Sequence, residues 1–258
     1  MVLAVDIGNS VITVGCLDSE KIFFKERIST DLSKTSFEYA VKIKMIFELH
    51  RYNSEKLEGS IISSVVPPMT SVISQAVEKL LGVRPAVVGP GVKTGLNIMT
   101  DNPSQVGSDL VVSAVAAINL YGAPAIVINM GTATTFSVID TKRTYIGGII
   151  IPGINVSLNA LVDSTSQLPR IPVEKPVRTI GKNTIECMKS GIVYGSAACI
   201  DGMIDRIEEE TGTACTSVIT GDAACGVVEQ CRHKMVYDKD LILKGLMIIY
   251  MKNRETRL

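Results

Sequence analysis

The sequence predicts an α/β protein built twice over, with one domain in residues 1–120 and a second in residues 121–258. Three observations carry the prediction. Residues 2–18 read as an apolar β run, the bend Asp6-Ile-Gly-Asn-Ser10, and a second apolar run closing on Asp18; residues 126–140 repeat this through Asn129-Met-Gly-Thr132 and close on Asp140. Asp6 and Asn129, like Gly8 and Gly131, stand 123 positions apart, so the echo keeps its register as a duplicated unit does. β runs alternate with helical patterns elsewhere, which implies a mixed sheet flanked by helices, and 258 residues suffice for two cores of ordinary size.

After the first hairpin, residues 21–28 read as a strand, and residues 36–50 as a helix with Phe37, Val41, Met45, Ile46 and Leu49 at helical spacing. Residues 59–66 form a short apolar strand, 71–81 a helix, 86–88 a strand, 89–95 a Gly/Pro turn and 96–98 another strand. Gly89-Pro-Gly-Val-Lys-Thr94 imitates a phosphate-binding loop, but Val92 replaces the Gly required before Lys-Ser/Thr and no strong helix follows, so it is not read as one. Asn102-Pro103 ends a loop, and Val106-Gly-Ser-Asp109 opens a helix running to Leu120. Residues 122–124 break the chain before the second hairpin, and Gly147-Gly148 and Pro152-Gly153 read as turns. Residues 183–210 carry the strongest helical pattern, and their Gly191, Gly195, Ala197 and Ala198 admit a close neighbour, either within the chain or in a sister subunit. Residues 218–223 form a strand that runs into a small-residue turn at Gly221, either a platform for an adenine ring or a plain glycine turn.

Composition narrows the function. The 26 basic and 26 acidic residues cancel, leaving no electrostatic footprint for nucleic acid. No apolar run approaches the roughly 20 residues that span a bilayer, and the first residues carry neither a basic leader nor a cleavage site, which predicts a cytoplasmic protein with no membrane partner. The six cysteines form no C-x-x-C pair and only two histidines are present, which argues against a zinc site and for buried, reduced thiols.

The two polar bends carry the chemistry. A turn of Gly, Ser, Thr and Asn brings backbone N–H groups and hydroxyls close to a polyanion, because Gly removes the Cβ barrier. The Asp6 carboxylate, just ahead of its bend, suits a hydrated divalent cation on a nucleotide's phosphates. An ordinary tight turn is the rival reading, weakened because two equivalent bends form a cleft in a duplicated fold. Asp109 has two readings as well: a residue offsetting its helix dipole, or a general base aimed at a substrate.

In order and spacing the chain resembles the type III pantothenate kinases of the acetate kinase, sugar kinase, Hsp70 and actin superfamily. The resemblance rests on Asp6-Ile-Gly-Asn-Ser10, Ser63-Ser-Val-Val-Pro-Pro68, Val88-Gly-Pro-Gly91, Lys93-Thr-Gly-Leu-Asn-Ile98, Val106-Gly107, Gly131-Thr-Ala-Thr-Thr135, Leu168-Pro-Arg-Ile171 and Gly181-Lys-Asn-Thr184. It implies a duplicated ribonuclease H-like, actin-like ATPase fold with two mixed five-stranded sheets. It also implies transfer of the ATP γ-phosphoryl group to pantothenate, giving 4'-phosphopantothenate, the first step of coenzyme A biosynthesis. In that picture Asp6, Gly8, Asn9, Ser10, Thr13, Gly131, Thr132 and Gly221 hold ATP and Mg2+. Asp109 is the base, and Thr100, Gly107, Ser108, Leu110 and Thr184 form the pantothenate site, Thr184 reaching across a homodimer interface. A monovalent cation, K+ or NH4+, sits near the second bend at Asn129.

The departures from the family pattern gather in the site. The family's Gly-x-Asp-Arg is here Gly107-Ser-Asp-Leu110, which removes the guanidinium that would pair with the substrate carboxylate. A usual Tyr is Thr100, Asp-Phe-Gly is Asn129-Met-Gly131, which weakens the cation site, and Thr-Gly-Gly is Thr220-Gly-Asp222. Three functions follow from the resemblance: a working pantothenate kinase with an altered pocket, an impaired homologue that regulates or pairs with an active paralogue, and a kinase for an alcohol lacking a carboxylate.

Overall fold

The computed structural model describes residues 1–254. Their order is β1 (Val2–Ile7), β2 (Val11–Leu17), β3 (Ile22–Ser29), α1 (Ser36–Leu49), β4 (Gly59–Ser64), α2 (Pro67–Leu81), β5 (Ala86–Val87), β6 (Asn97–Ile98), α3 (Ser108–Leu120), β7 (Ala125–Met130), β8 (Ala133–Ile139), β9 (Thr144–Pro152), α4 (Ile154–Asp163), α5 (Thr184–Thr211), β10 (Thr216–Thr220), α6 (Ala224–Val228), β11 (Val236–Tyr237) and α7 (Leu241–Arg254). Two compact units result, one holding Met1–Leu96, Asn102–Ala116 and the chain from Leu241, the other Asn97–Asp101 and Ala117–Asp240. The sequence places a boundary near residue 120 and assigns all that follows to the second domain. By contacts α7 joins the first unit, because Leu243, Leu246 and Ile249 pack with Val2, Ala4 and Ile61 of its sheet.

The first unit is built on the sheet β3-β2-β1-β4-β5, with β1 antiparallel to β2 and parallel to β4. Alternation along β1 sends Leu3, Val5 and Ile7 to one face, where they meet Tyr39, Ile43 and Phe47 of α1 and Met69 and Ile73 of α2. Val2 and Ala4 go to the other face, against Val112 and Val115 of α3 and Leu246 of α7. At Gly15 a Cβ would lie 2.7 Å from a Leu243 methyl, so this glycine lets α7 settle on β2. Helix α1 begins at a capping box in which Thr35 accepts from the Glu38 N–H and Glu38 accepts from the Thr35 N–H.

The second unit repeats the plan. Its sheet runs β11-β10-β7-β8-β9-β6, and the order β9-β8-β7-β10 matches β3-β2-β1-β4. This sheet has six strands where five are expected, because Asn97–Ile98 adds to its edge, parallel to β9. Ile126, Ile128 and Phe136 pack against Ile200, Ile204 and Ile207 of α5 and Val227 of α6. Among the described residues no helix is long and apolar enough to cross a membrane.

Several sequence expectations change. The row Phe37, Val41, Met45 and Leu49 is exposed, Leu49 at 78%. Helix α1 instead buries Tyr39, Ala40, Ile43, Ile46 and Phe47, a fuller 3.6-residue stripe than a simple i+4 row. Gly147, Gly148 and Pro152 lie inside β9 and are not turns; a Cβ on Gly148 would strike the Phe136 carbonyl, so glycine there permits pairing with β8. Helix α2 starts at Pro67, four residues early, because proline suits the first helical turn. All six cysteines are free, but only Cys16 is buried, and Cys187 and Cys225 are exposed on the outer faces of α5 and α6.

Candidate active site

In the first unit the β1–β2 bend is tied down by backbone. The Gly8 N–H donates to the Val11 carbonyl at 3.0 Å, and a Cβ on Gly8 would come within 3.1 Å of that same oxygen. Thr30, just past β3, braces the bend from outside: its hydroxyl donates to the Gly8 carbonyl at 2.7 Å and its N–H to the Ser10 carbonyl at 3.1 Å. Asn9 and Ser10 are left exposed at the tip. Sequence reading missed Thr30, since nothing local ties it to a bend 20 residues earlier.

Asp6 is the penultimate residue of β1, and register puts Thr13 of β2 on one side of it and Ser63 of β4 on the other. Cross-strand partners share a face, so the three side chains form a row on the α3 side of the sheet. Ser63 is fully buried, and its hydroxyl is hydrogen-bonded to the Asp6 carboxylate. Burial, and then the negative charge of Asp109, push the Asp6 pKa up to about 7, with the Ser63 hydrogen bond opposing them.

Asp109 lies in the first turn of α3. The Gly107 carbonyl accepts from the Val111 N–H at 3.1 Å, so the helix starts there. A Cβ on Gly107 would sit 2.5 Å from Asp109 Oδ1, so any side chain there would displace the carboxylate. Burial raises the Asp109 pKa, while the N–H groups of Leu110 and of Asp109 itself donate to its carboxylate and hold it lower. Asp109 thus compensates the helix start, as the first of its two sequence readings has it, and it lies within electrostatic reach of Asp6. Ser108 anchors the turn. Its hydroxyl donates to the Ser64 carbonyl at 2.9 Å, accepts from the Ser64 N–H at 3.0 Å, and lies 3.1 Å from Ser63 Oγ. Leu110 is partly buried beside this cluster in sequence and brings no charge to it.

The second unit carries the matching row. Asn129, the penultimate residue of β7, stands between Thr135 of β8 and Thr220 of β10, as Asp6 stands between Thr13 and Ser63. Thr135 Oγ1 is buried and has no hydrogen-bond partner. In the bend, the Gly131 N–H donates to the Ala133 carbonyl at 3.1 Å, and Thr132 accepts from the N–H of Gly153, which opens α4. Gly221 has a φ of 100°, and a Cβ on it would lie 2.5 Å from the Met130 carbonyl, so protein backbone already accounts for glycine there. Asp222 is exposed. Thr100 has a buried hydroxyl with no hydrogen-bond partner, and Thr184 is exposed at the start of α5, where Asn183 caps the helix through the Glu186 N–H at 2.9 Å.

Comparison with known proteins supplies a family. The profile described as Type III pantothenate kinase matches residues 2–206. A type III pantothenate kinase of an Exiguobacterium species is 44% identical over 255 residues, covering 99% of this chain and all of that protein. One from Halalkalibacterium halodurans is 42% identical over 253 residues, covering 98% and 100%. Among solved structures, the chain is similar to the activator of 2-hydroxyisocaproyl-CoA dehydratase from Clostridium difficile with bound ADPNP, with a TM-score of 0.61, 12% identity, and coverage of 99% and 96%. It is also similar to (R)-2-hydroxyglutaryl-CoA dehydratase component A from Acidaminococcus fermentans, with a TM-score of 0.59, 13% identity, and coverage of 99% and 98%. These likenesses agree with the actin-like ATPase fold expected from the motifs.

Proposed function

Because the chain belongs to the type III pantothenate kinase family, we propose that it transfers the γ-phosphoryl group of ATP to the primary hydroxyl of pantothenate, opening coenzyme A biosynthesis. The observation that carries this reading is the pair Asp6 and Asp109, two carboxylates held within electrostatic reach on one unit, beside a bend whose backbone is tied down. Asp109, raised by burial, takes the hydroxyl proton as attack proceeds. Asn9 and Ser10 at the exposed tip, with Gly8 and Thr13, receive phosphate oxygens, and Gly131, Thr132 and Gly221 extend nucleotide binding.

Asp6 is the residue that would hold Mg2+. The donor set fits: Asp6 is a carboxylate with a second, Asp109, within electrostatic reach, and Mg2+ characteristically takes one or two carboxylates with water and substrate phosphates. When bound, the ion neutralises charge on the transferring phosphoryl group. At the second row Asn129 and the unpartnered Thr135 hydroxyl offer neutral oxygens to K+ or NH4+, so we expect a monovalent cation to bind there more weakly than at a carboxylate. Thr100 supplies an unsatisfied hydroxyl that substrate would satisfy. Gly107 and Leu110 line the pantothenate site.

We expect a cytoplasmic homodimer in which Thr184 serves the partner's site. The small-residue face of α5 is open: a Cβ on Gly191 or Gly195 would meet nothing within 4 Å. Val177 and Ile180 are 84% and 80% exposed. The loss of guanidinium and carboxylate at Leu110 and Asn129 favours a second reading, an impaired subunit that pairs with an active paralogue. Purified protein with ATP, Mg2+ and pantothenate should release ADP and phosphopantothenate. Asp109→Asn should lower turnover by about a hundredfold or more. Turnover that survives that substitution defeats the kinase assignment of Asp109; turnover only after mixing with a paralogue establishes the second reading.

A further inference from the structure

We infer that Ser108, with Ser63 as its bridge to Asp6, is a positioning residue that clamps the first turn of α3 onto the end of β4 and so fixes Asp109 relative to Asp6. The inference rests on the kinase reading of those two carboxylates.

A serine hydroxyl has one proton to give and two lone pairs. Ser108 has three protein partners for them: the Ser64 carbonyl, the Ser64 N–H and Ser63 Oγ. Ser108 gives its proton to the Ser64 carbonyl and accepts from the Ser64 N–H, so strand β4 takes its one donor, which revises the donated substrate contact that the family motif implies. The Ser63 hydroxyl, 3.1 Å away, divides its single proton between Ser108 Oγ and the Asp6 carboxylate. The partners are themselves held. Ser64 Oγ accepts from the Thr70 hydroxyl of α2 at 2.7 Å and from the Val66 N–H at 3.2 Å. Ser63 is fully buried and hydrogen-bonded to Asp6. Two hydroxyls thus connect the carboxylate on β1 to the helix that carries the other carboxylate one residue later. Buried, satisfied networks of this kind rigidify the groups they join. Asp109 is tied to the turn, because its carboxylate accepts the first N–H groups of the helix. A shift of the turn therefore shifts the base, and misplacement of a reacting group by about 1 Å lowers rates by as much as a hundredfold.

Steady-state kinetics test the clamp. Ser108→Ala should lower kcat about tenfold to a hundredfold while KM for pantothenate stays within about twofold, and Ser108→Thr, which keeps the hydroxyl, should recover most of kcat. Ser63→Ala should lower kcat in the same way, and the double variant should be little worse than either single one. Ser113→Ala is the control: it deletes a buried hydroxyl from the same helix that has no hydrogen-bond partner, and kcat should not move. An unchanged kcat in Ser108→Ala overturns the clamp, as does a rise in KM that accounts for the whole loss, since that is the signature of a substrate contact. A wild-type protein without turnover, or an active Asp109→Asn, defeats the kinase reading instead. The clamp is then decided by amide hydrogen exchange over residues 109–112, which should quicken in Ser108→Ala and not in Ser113→Ala; equal exchange in both refutes it.

Discussion

Asp6→Asn should make the ligand-free protein more stable, and only above mildly acidic pH. The folded Asp6 carboxyl has its pKa pushed up to about 7 from an ordinary value of 3.8. Between those values the folded chain keeps a proton that the unfolded chain has released, so the native state binds more protons and stability falls as pH rises. Below about pH 4 the group is protonated in both states and contributes nothing; above about pH 7 the full penalty is present. Each pKa unit is worth about 1.4 kcal/mol, so roughly three units give about 4 kcal/mol as the ceiling. Asp109 is raised as well and acts in the same direction. Asparagine keeps the shape and an acceptor for Ser63 while removing the charge. Urea unfolding followed by circular dichroism, in EDTA and without nucleotide, should show the variant equal to wild type near pH 4 and more stable by up to about 4 kcal/mol near pH 8. A wild-type minus variant difference that is flat across the interval, or that favours wild type at high pH, would refute the placement of a desolvated carboxylate at the end of β1.

Two further outcomes follow from the same geometry. Leu110→Arg combined with Asn129→Asp should lower KM for pantothenate roughly thirtyfold, about 2 kcal/mol for a charge-assisted pair, and should make turnover respond to K+; no gain in titrations of either ligand would count against the mapping of both positions. Gly221→Ala should destabilise the protein by about 2–3 kcal/mol, read as a lower Tm by calorimetry, because the φ of 100° disfavours any side chain and the new methyl would meet the Met130 carbonyl. An unaltered Tm would mean that the turn relaxes freely.

What the sequence made legible was local. The doubled bend and the start of α3 each announce themselves within a few residues, and Asp6 and Asp109 could be singled out on those grounds. Their supports could not. Ser63 reaches Asp6 through parallel pairing of β1 with β4, and Ser64 reaches Ser108 across 44 residues of intervening chain. No periodicity encodes such a pairing. Helix α1 misled because it carries two apolar rows, and only the sheet decides which one is covered. Gly147 and Gly148 misled for a related reason: glycine marks turns, but it also marks strands whose neighbour's backbone comes close.

The duplication also explains why one substitution matters so much. Register places Thr13, Asp6 and Ser63 in one row and Thr135, Asn129 and Thr220 in its counterpart, so the two halves agree strand by strand and differ at the centre by a carboxylate against an amide. Three neutral side chains make the second row indifferent to charge, whereas the first holds a carboxylate that burial and Asp109 both disfavour in its ionised form. Only the first row therefore gains from a divalent cation by relief of unfavourable charge. The second can only offer dipoles, the amide oxygen of Asn129 and the Thr135 hydroxyl among them, which suit a weakly held monovalent cation and not a divalent one. Two bends built on one plan thus form one acidic and one neutral row, and the acidic one is where Asp109 stands.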